Sequence, residues 1–165
     1  MAQEHRADLW HTEGDAIRCE LCPHACRIAP GHVGVCGVRR NEAGKLIALT
    51  YGRISSAAVD PIEKKPVFHF HPGSLAFSIG SVGCTMRCGH CQNWQISRAH
   101  VEDGILQDVG PEQAVDSALA SGCEGMAFTY NEPVIMAEYV RDTSLIAHER
   151  GLYTVMVTNG YITQA

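Results

Sequence analysis

Seven of the eight cysteines in this 165-residue sequence fall in two tight groups, Cys19, Cys22, Cys26 and Cys36, then Cys84, Cys88 and Cys91. Spacing this close converges thiolates on one metal ion or cluster, and it restricts the chain to folds that build such loops. An even cysteine count also suits disulfides, but those need an oxidising compartment. The opening MAQEHRADLW lacks the apolar stretch of a secretory signal, so nothing points to export. Cys123 stands apart, just past a predicted helix end, and reads as a small buried apolar residue.

Composition narrows the classes further. With 45% hydrophobic and 19% charged residues the chain can build a globular core. A net charge of −5 and a pI near 5.9 argue against a nucleic-acid surface. The basic pairs Arg39-Arg40 and Lys64-Lys65 are too short for phosphate tracking. No apolar run approaches the roughly 20 residues of a membrane span. The sequence predicts a soluble, cytoplasmic protein with neither nucleic-acid nor membrane partners.

Three segments follow from the patterning. Residues 1–45 read as a Cys-rich, metal-binding N-terminal module, its first 16 residues frayed and its turns rich in Gly and Pro. So few of its residues suit a core that bound metal is expected to supply its stability. Residues 46–74 read as a linking segment with a short strand at 46–50. Residues 75–165 alternate strand and helix: strand 75–80, helix 111–121, strand 125–130, helix 133–150, strand 153–157. Glu138, Arg141 and Asp142 are assigned to the outer face of the second helix. This order predicts an α/β fold with the first three strands of a parallel, barrel-like sheet. Active sites of such barrels lie at the C-terminal strand ends. The Cys loop, Asn131-Glu132 and Thr158-Asn159-Gly160 all fall there. Three strands cannot close a barrel, so the sequence predicts a chain truncated after its third strand.

The loop GCTMRCGHCQNW carries C-x3-C-x2-C. Three thiolates hold three irons of a cubane and leave the fourth open, unlike ferredoxin sites with a fourth Cys. An open iron can chelate the amino and carboxylate groups of a small molecule. The competing reading is zinc with a distant His or Cys123 as fourth ligand, though zinc knuckles favour paired cysteines.

Four stretches carry a more specific likeness: DPIEKKPVFHFHPGS (60–74), GCTMRCGHCQNWQIS (83–97), FTYNEP (128–133) and VTNGY (157–161). They resemble the AmmeMemoRadiSam system radical S-adenosylmethionine (SAM) enzymes, relatives of pyruvate formate-lyase activating enzymes. The resemblance implies a radical SAM barrel, a [4Fe–4S] cluster on Cys84, Cys88 and Cys91, and SAM on the open iron. It also implies reductive cleavage of SAM to a 5′-deoxyadenosyl radical that abstracts hydrogen from a substrate. An electron donor such as ferredoxin or flavodoxin is implied, and a protein substrate is implied by analogy with the activating enzymes. Tyr130, Asn131 and Glu132 occupy the place of the Gly-Gly-Glu-type motif that meets the methionine amino group, with Tyr and Asn replacing the glycines. Thr158 and Asn159 match the end of the third strand. Val157 replaces an Asp often found there, and His90 replaces a usually aromatic residue before the last Cys.

Cys19, Cys22, Cys26 and Cys36 give C-x2-C-x3-C-x9-C, four ligands for closed tetrahedral zinc or for a second Fe–S cluster, zinc being favoured. His24 and His32 read as loop residues. Asp60, Glu63, Lys64 and Lys65 read as a solvated loop, His69 and His71 as one face of a strand, and Trp94 and Tyr161 as packing residues. Ala76, Ser78 and Gly80 are expected to face the barrel interior and leave room for a cofactor. Three rivals remain: a zinc-binding assembly module, a two-cluster electron carrier, and a fragment with no activity of its own.

Overall fold

The computed structural model describes residues 4–103 and 105–164. Short antiparallel pieces build the N-terminal part. Trp10–Glu13 (β1) and Ala16–Cys19 (β2) form a hairpin, and Arg27–Ile28 (β3) pairs with the other edge of β2. Gly14 makes the turn with φ +65, a backbone region that L side chains disfavour. Arg39–Glu42 (β4) and Lys45–Ala48 (β5) form a second hairpin across position 45.

The start of the chain is not frayed over the described residues. The Ala7 N–H donates to the Leu46 carbonyl (2.7 Å) and the Ala48 N–H to the His5 carbonyl (2.9 Å), so residues 5–7 run along β5. This segment also has an apolar core, contrary to expectation. Ala7, Ile17, Leu21, Ile28, Leu46 and Ala48 bury together, and Val134 from the second half joins them. Apolar residues scattered over five short pieces show no periodicity, so the sequence conceals a core that only tertiary packing assembles.

The rest of the chain contains Arg53–Ile54 (β6), Ser56–Pro61 (β7), Leu75–Gly80 (β8), Trp94–Ser97 (α1), Gln107–Asp108 (β9) and Pro111–Ala120 (α2). Gly125–Phe128 (β10), Ala137–Glu149 (α3) and Tyr153–Met156 (β11) follow. The main sheet has the order β11-β10-β8-β7, with β8, β10 and β11 parallel and β7 antiparallel to β8. The short strands β6 and β9 pair separately. The linking segment is therefore structured. In β7, SAAVDP lacks the alternation that marks a strand, and Pro61 sits at its last residue on an edge, where a missing N–H does no harm.

Both predicted helices form, the second starting four residues later than expected. Pro111 opens α2, which buries Ala114, Val115 and Ala118. A 3-10 turn over Pro133–Met136 leads into α3, which buries Tyr139, Val140, Thr143 and Ala147. These faces pack on Ile79, Met126 and Phe128, and Cys123 is buried in the same cluster, as expected for a small apolar residue. Phe77 and Ile79 pack toward the helices, while Leu75 is 39% exposed. The free space expected over Ala76 is taken: Ile62, fully buried, packs on Ala76 and Ala127. Among the described residues no helix is long and apolar enough to cross a membrane.

Candidate active site and metal centre

The loop from Ser81 to Asn93 leaves the C-terminal end of β8. Gly83 at its start has φ +84, and a Cβ there would run into the Cys36 carbonyl oxygen. Only glycine lets the loop cross the N-terminal part this closely. Cys84 and Cys91 are half-buried, Cys88 is exposed, and all three are free thiols. The Met86 N–H is aimed at Cys84 Sγ (3.4 Å), and Ser97 Oγ lies 3.4 Å from Cys91 Sγ. Arg87 and Arg98 flank Cys84, and Arg98 donates to the Cys88 carbonyl (3.0 Å). Free thiols, donors aimed at sulfur and nearby cations suit an anionic cluster held by three thiolates. Among the described residues no three His, Cys, Asp or Glu side chains stand close enough together to hold a metal as placed.

Asn131 organises the loop. Its Oδ1 accepts from the Ser81 N–H (2.9 Å), and its Nδ2 donates to the Val82 and Gly83 carbonyls (3.2 and 3.1 Å). The amide is thus engaged on both ends within the protein. Tyr130 has φ +73, and its carbonyl accepts from Asn93 Nδ2 (2.8 Å). Glu132, 3% exposed, accepts from the Val134 N–H (3.0 Å), capping the 3-10 turn. It also accepts from Thr158 Oγ1 (2.7 Å) and the Asn159 N–H (2.9 Å). Asn159 Nδ2 donates to Thr85 Oγ1 (3.0 Å), closing the circuit back to the Cys loop. The ends of β8, β10 and β11 are thereby laced together.

A second polar group lies on the side of the sheet away from the helices. Asp60, 4% exposed, accepts from Lys64 Nζ (2.6 Å), Lys65 Nζ (2.7 Å) and Tyr130 Oη (3.1 Å). Lys65 is 8% exposed and lies over the Tyr130 ring at 5.5 Å. Burial works to raise the Asp60 pKa, but the hydrogen bonds from Lys64 and Lys65 outweigh it and hold the carboxyl well below the usual range. Burial, then the bond to Asp60, pushes the Tyr130 hydroxyl up. The solvated-loop reading is therefore corrected for Asp60 and Lys65, whereas Lys64 is exposed and Glu63 half-buried, as that reading has them. His69 and His71 lie in turns rather than on a strand. Trp94 is 55% exposed and is not a packing residue, whereas Tyr161 packs edge-on to His24.

Cys19, Cys22, Cys26 and Cys36 line one small cavity together with Arg39 and Ile135. Burial pushes the Cys19 and Cys22 thiols up, and Cys36 up to about 11. Arg39 reaches across to α3, donating from Nη2 to Glu138 Oε1 (2.7 Å) and from Nη1 to Oε2 (3.2 Å). Both residues are buried, so Glu138 is not on the outer face assigned to it. Its place at helical spacing from Ile135 was a signal for this. Nothing in the sequence marks Arg39 as its partner.

A parallel α/β sheet with a three-cysteine loop at one strand end defines a class of metal-cofactor proteins. The family described as Radical SAM superfamily matches residues 78–164, and the chain belongs to that superfamily. Members generally bind a [4Fe–4S] cluster and SAM. The chain is also 44% identical over 150 residues to the uncharacterized protein MJ0808 of Methanocaldococcus jannaschii, covering 91% of this chain and 45% of that protein. It thus spans less than half the length of that relative. No solved structure gives a significant match.

Proposed function

We propose that this chain carries the cluster and SAM-binding half of an activating-enzyme-like radical SAM oxidoreductase. Cys84, Cys88 and Cys91 hold a [4Fe–4S] cluster, and β8, β10 and β11 form the first strands of a partial (β/α) barrel. Residues 1–45, 46–74 and 75–165 act as metal-binding module, link and barrel segment. When bound and reduced, the cluster supplies one electron for cleavage of SAM to methionine and a 5′-deoxyadenosyl radical. The observation that carries this reading is the lacing of the three-thiol loop to the ends of β10 and β11 through Asn131, Asn93 and Asn159.

In this reading the side chains divide their work. Glu132 braces the site with three accepted hydrogen bonds, and a carboxylate has about four acceptor positions. The remaining position on Oε2 takes the methionine ammonium in a charge-assisted bond. Asn131, Thr158 and Asn159 act as positioning residues, since their polar atoms hold the loop and Glu132. Tyr130 and the Asp60-Lys65 pair wall the interior face of the sheet. An electron donor of ferredoxin or flavodoxin type and a protein substrate complete the activating-enzyme reading.

Anaerobic reconstitution with iron and sulfide, followed by EPR of the dithionite-reduced chain, tests it. A cubane signal that shifts on adding SAM and disappears in Cys88→Ala supports the reading. A cubane signal indifferent to SAM favours an electron carrier. Zinc without sulfide at both cysteine groups overturns it.

A further inference from the structure

Backbone geometry sets the four N-terminal cysteines around one cavity, though as placed their sulfurs do not converge to ligand distance of a common point. The Cys19 N–H donates to the Cys26 carbonyl (3.0 Å), setting those residues across from each other at the β2–β3 end. A turn with Ala25 N–H to Cys22 carbonyl (3.0 Å), and Ala25 at φ +43, folds Cys22 back toward them. A second turn, Gly37 N–H to Gly34 carbonyl (2.9 Å), presents Cys36 from the opposite side. A Cβ on Gly34 would stand 3.5 Å from Cys26 Sγ. The Val35 N–H points at that sulfur from 3.5 Å. This is the backbone donor that thiolate ligands commonly receive.

All four thiols are free, and they line a single small cavity of about 10 Å³. Space of this size holds about one water-sized sphere. A cubane brings four irons and four sulfides and requires the four side chains to spread well apart. One ion does not, because zinc–thiolate bonds of about 2.3 Å draw the sulfurs inward and close the void. Apart from His24 and Arg39, the remaining wall is apolar, made by Leu21, Ile28, Val35 and Ile135 with Gly34. Arg39 is the one cation in the wall, and Glu138 already neutralises it.

We infer that Cys19, Cys22, Cys26 and Cys36 bind a single zinc ion as a closed tetrahedral centre, structural rather than electron-relaying. Binding releases four thiol protons to solvent and leaves a net charge of −2 beside Arg39, with no change of oxidation state. The centre stands against the Cys84 loop: the Cys36 carbonyl abuts Gly83, and His24 Nε2 lies 2.8 Å from the Thr85 carbonyl. A second void of about 20 Å³ is shared by Cys36 and Cys84. The zinc therefore fixes the floor on which that loop is laid, while its own ligation is independent of what the loop binds.

The test separates the two cysteine groups. The full chain carrying Cys84→Ser, Cys88→Ser and Cys91→Ser is purified anaerobically, and zinc, iron and acid-labile sulfide are measured. One zinc per chain with no sulfide is expected, lost on adding Cys22→Ser and Cys36→Ser. Exchange with cobalt(II) is expected to give thiolate charge-transfer bands and the intense visible bands of a tetrahedral ion. Iron with stoichiometric sulfide in the triple variant overturns the inference, as does a folded variant with no metal. Zinc-edge X-ray absorption on the unsubstituted, zinc-loaded chain gives an answer that does not depend on how the variants fold. Four sulfurs at about 2.3 Å are expected, and an oxygen- or nitrogen-containing shell means adventitious zinc and overturns it. A sulfide-free zinc centre in the triple variant stands even if the unsubstituted chain ignores SAM.

Discussion

Single side chains in this protein are multiply engaged, which makes their substitution informative. Glu132 caps a turn and ties β11 to β10, and in the proposed reading its remaining acceptor position takes the ammonium. Replacing it by Gln preserves shape and most bracing but removes the charge that an ammonium needs. A charge-assisted hydrogen bond contributes about 1.5–3 kcal/mol, which is about tenfold or more in affinity. Glu132→Gln is expected to raise the SAM concentration needed to shift the cluster EPR signal by about that factor. An unchanged titration would move the ammonium contact elsewhere. The positive φ of Tyr130 belongs to the same scale: strained non-glycine backbone persists where surroundings over-determine it. Here the Asn93 amide and Asp60 hold the two ends of that residue.

At the scale of elements, two buried ion pairs hold pieces together. Arg39 on β4 and Glu138 on α3 are 1% and 2% exposed. Glu138→Ala leaves a buried guanidinium without its counter-charge, and the expected loss is about 3–5 kcal/mol in urea unfolding. The double change Arg39→Met with Glu138→Leu is expected to recover most of that loss, because desolvation of both charges disappears. A double variant as weak as the single would mean the pair contributes net attraction. Asp60 ties β7 to the turn that carries Lys64 and Lys65. Its folded pKa is lowered, so its contribution is present above the unfolded value of about 3.9 and is lost as pH falls through the folded value. Asp60→Asn is therefore expected to be less stable than the natural chain at pH 7. The gap should narrow below about pH 4. A pH-independent gap in chemical denaturation would assign the loss to packing.

At the scale of the whole molecule, the Cys-rich N-terminal part and the parallel sheet share a core. Val134 lies in the N-terminal apolar cluster, Ile135 lines the four-cysteine cavity, and Glu138 completes the buried ion pair. All three come from the segment that leaves β10. Calorimetry is expected to show one cooperative transition for both parts. Two resolved transitions would show that the N-terminal part folds as a separate unit.

Much of this was legible in the amino-acid order, for a physical reason. Spacing within a loop is a local property, so the two cysteine groups stand out as candidate ligand sets without any tertiary knowledge. Helical periodicity and flanking Pro and Gly place both ends of α2 and the end of α3 within a residue, because those signals act over one or two turns, while α3 starts four residues later than expected, after a 3-10 turn. The superfamily was legible from the same local text. What needed the tertiary structure is everything carried by non-local partners: the pairing of SAAVDP with β8, the burial of Asp60 and Lys65, and the meeting of Arg39 with Glu138. Neither β7 nor the N-terminal core has a period of its own, and a charged residue reads as exposed until its counter-charge is found a hundred residues away. The sequence by itself determined which atoms are available to bind a cluster. The tertiary structure decided how Asn131, Glu132 and Asn159 hold that loop, and that the two cysteine groups share a wall, because packing brings distant residues together.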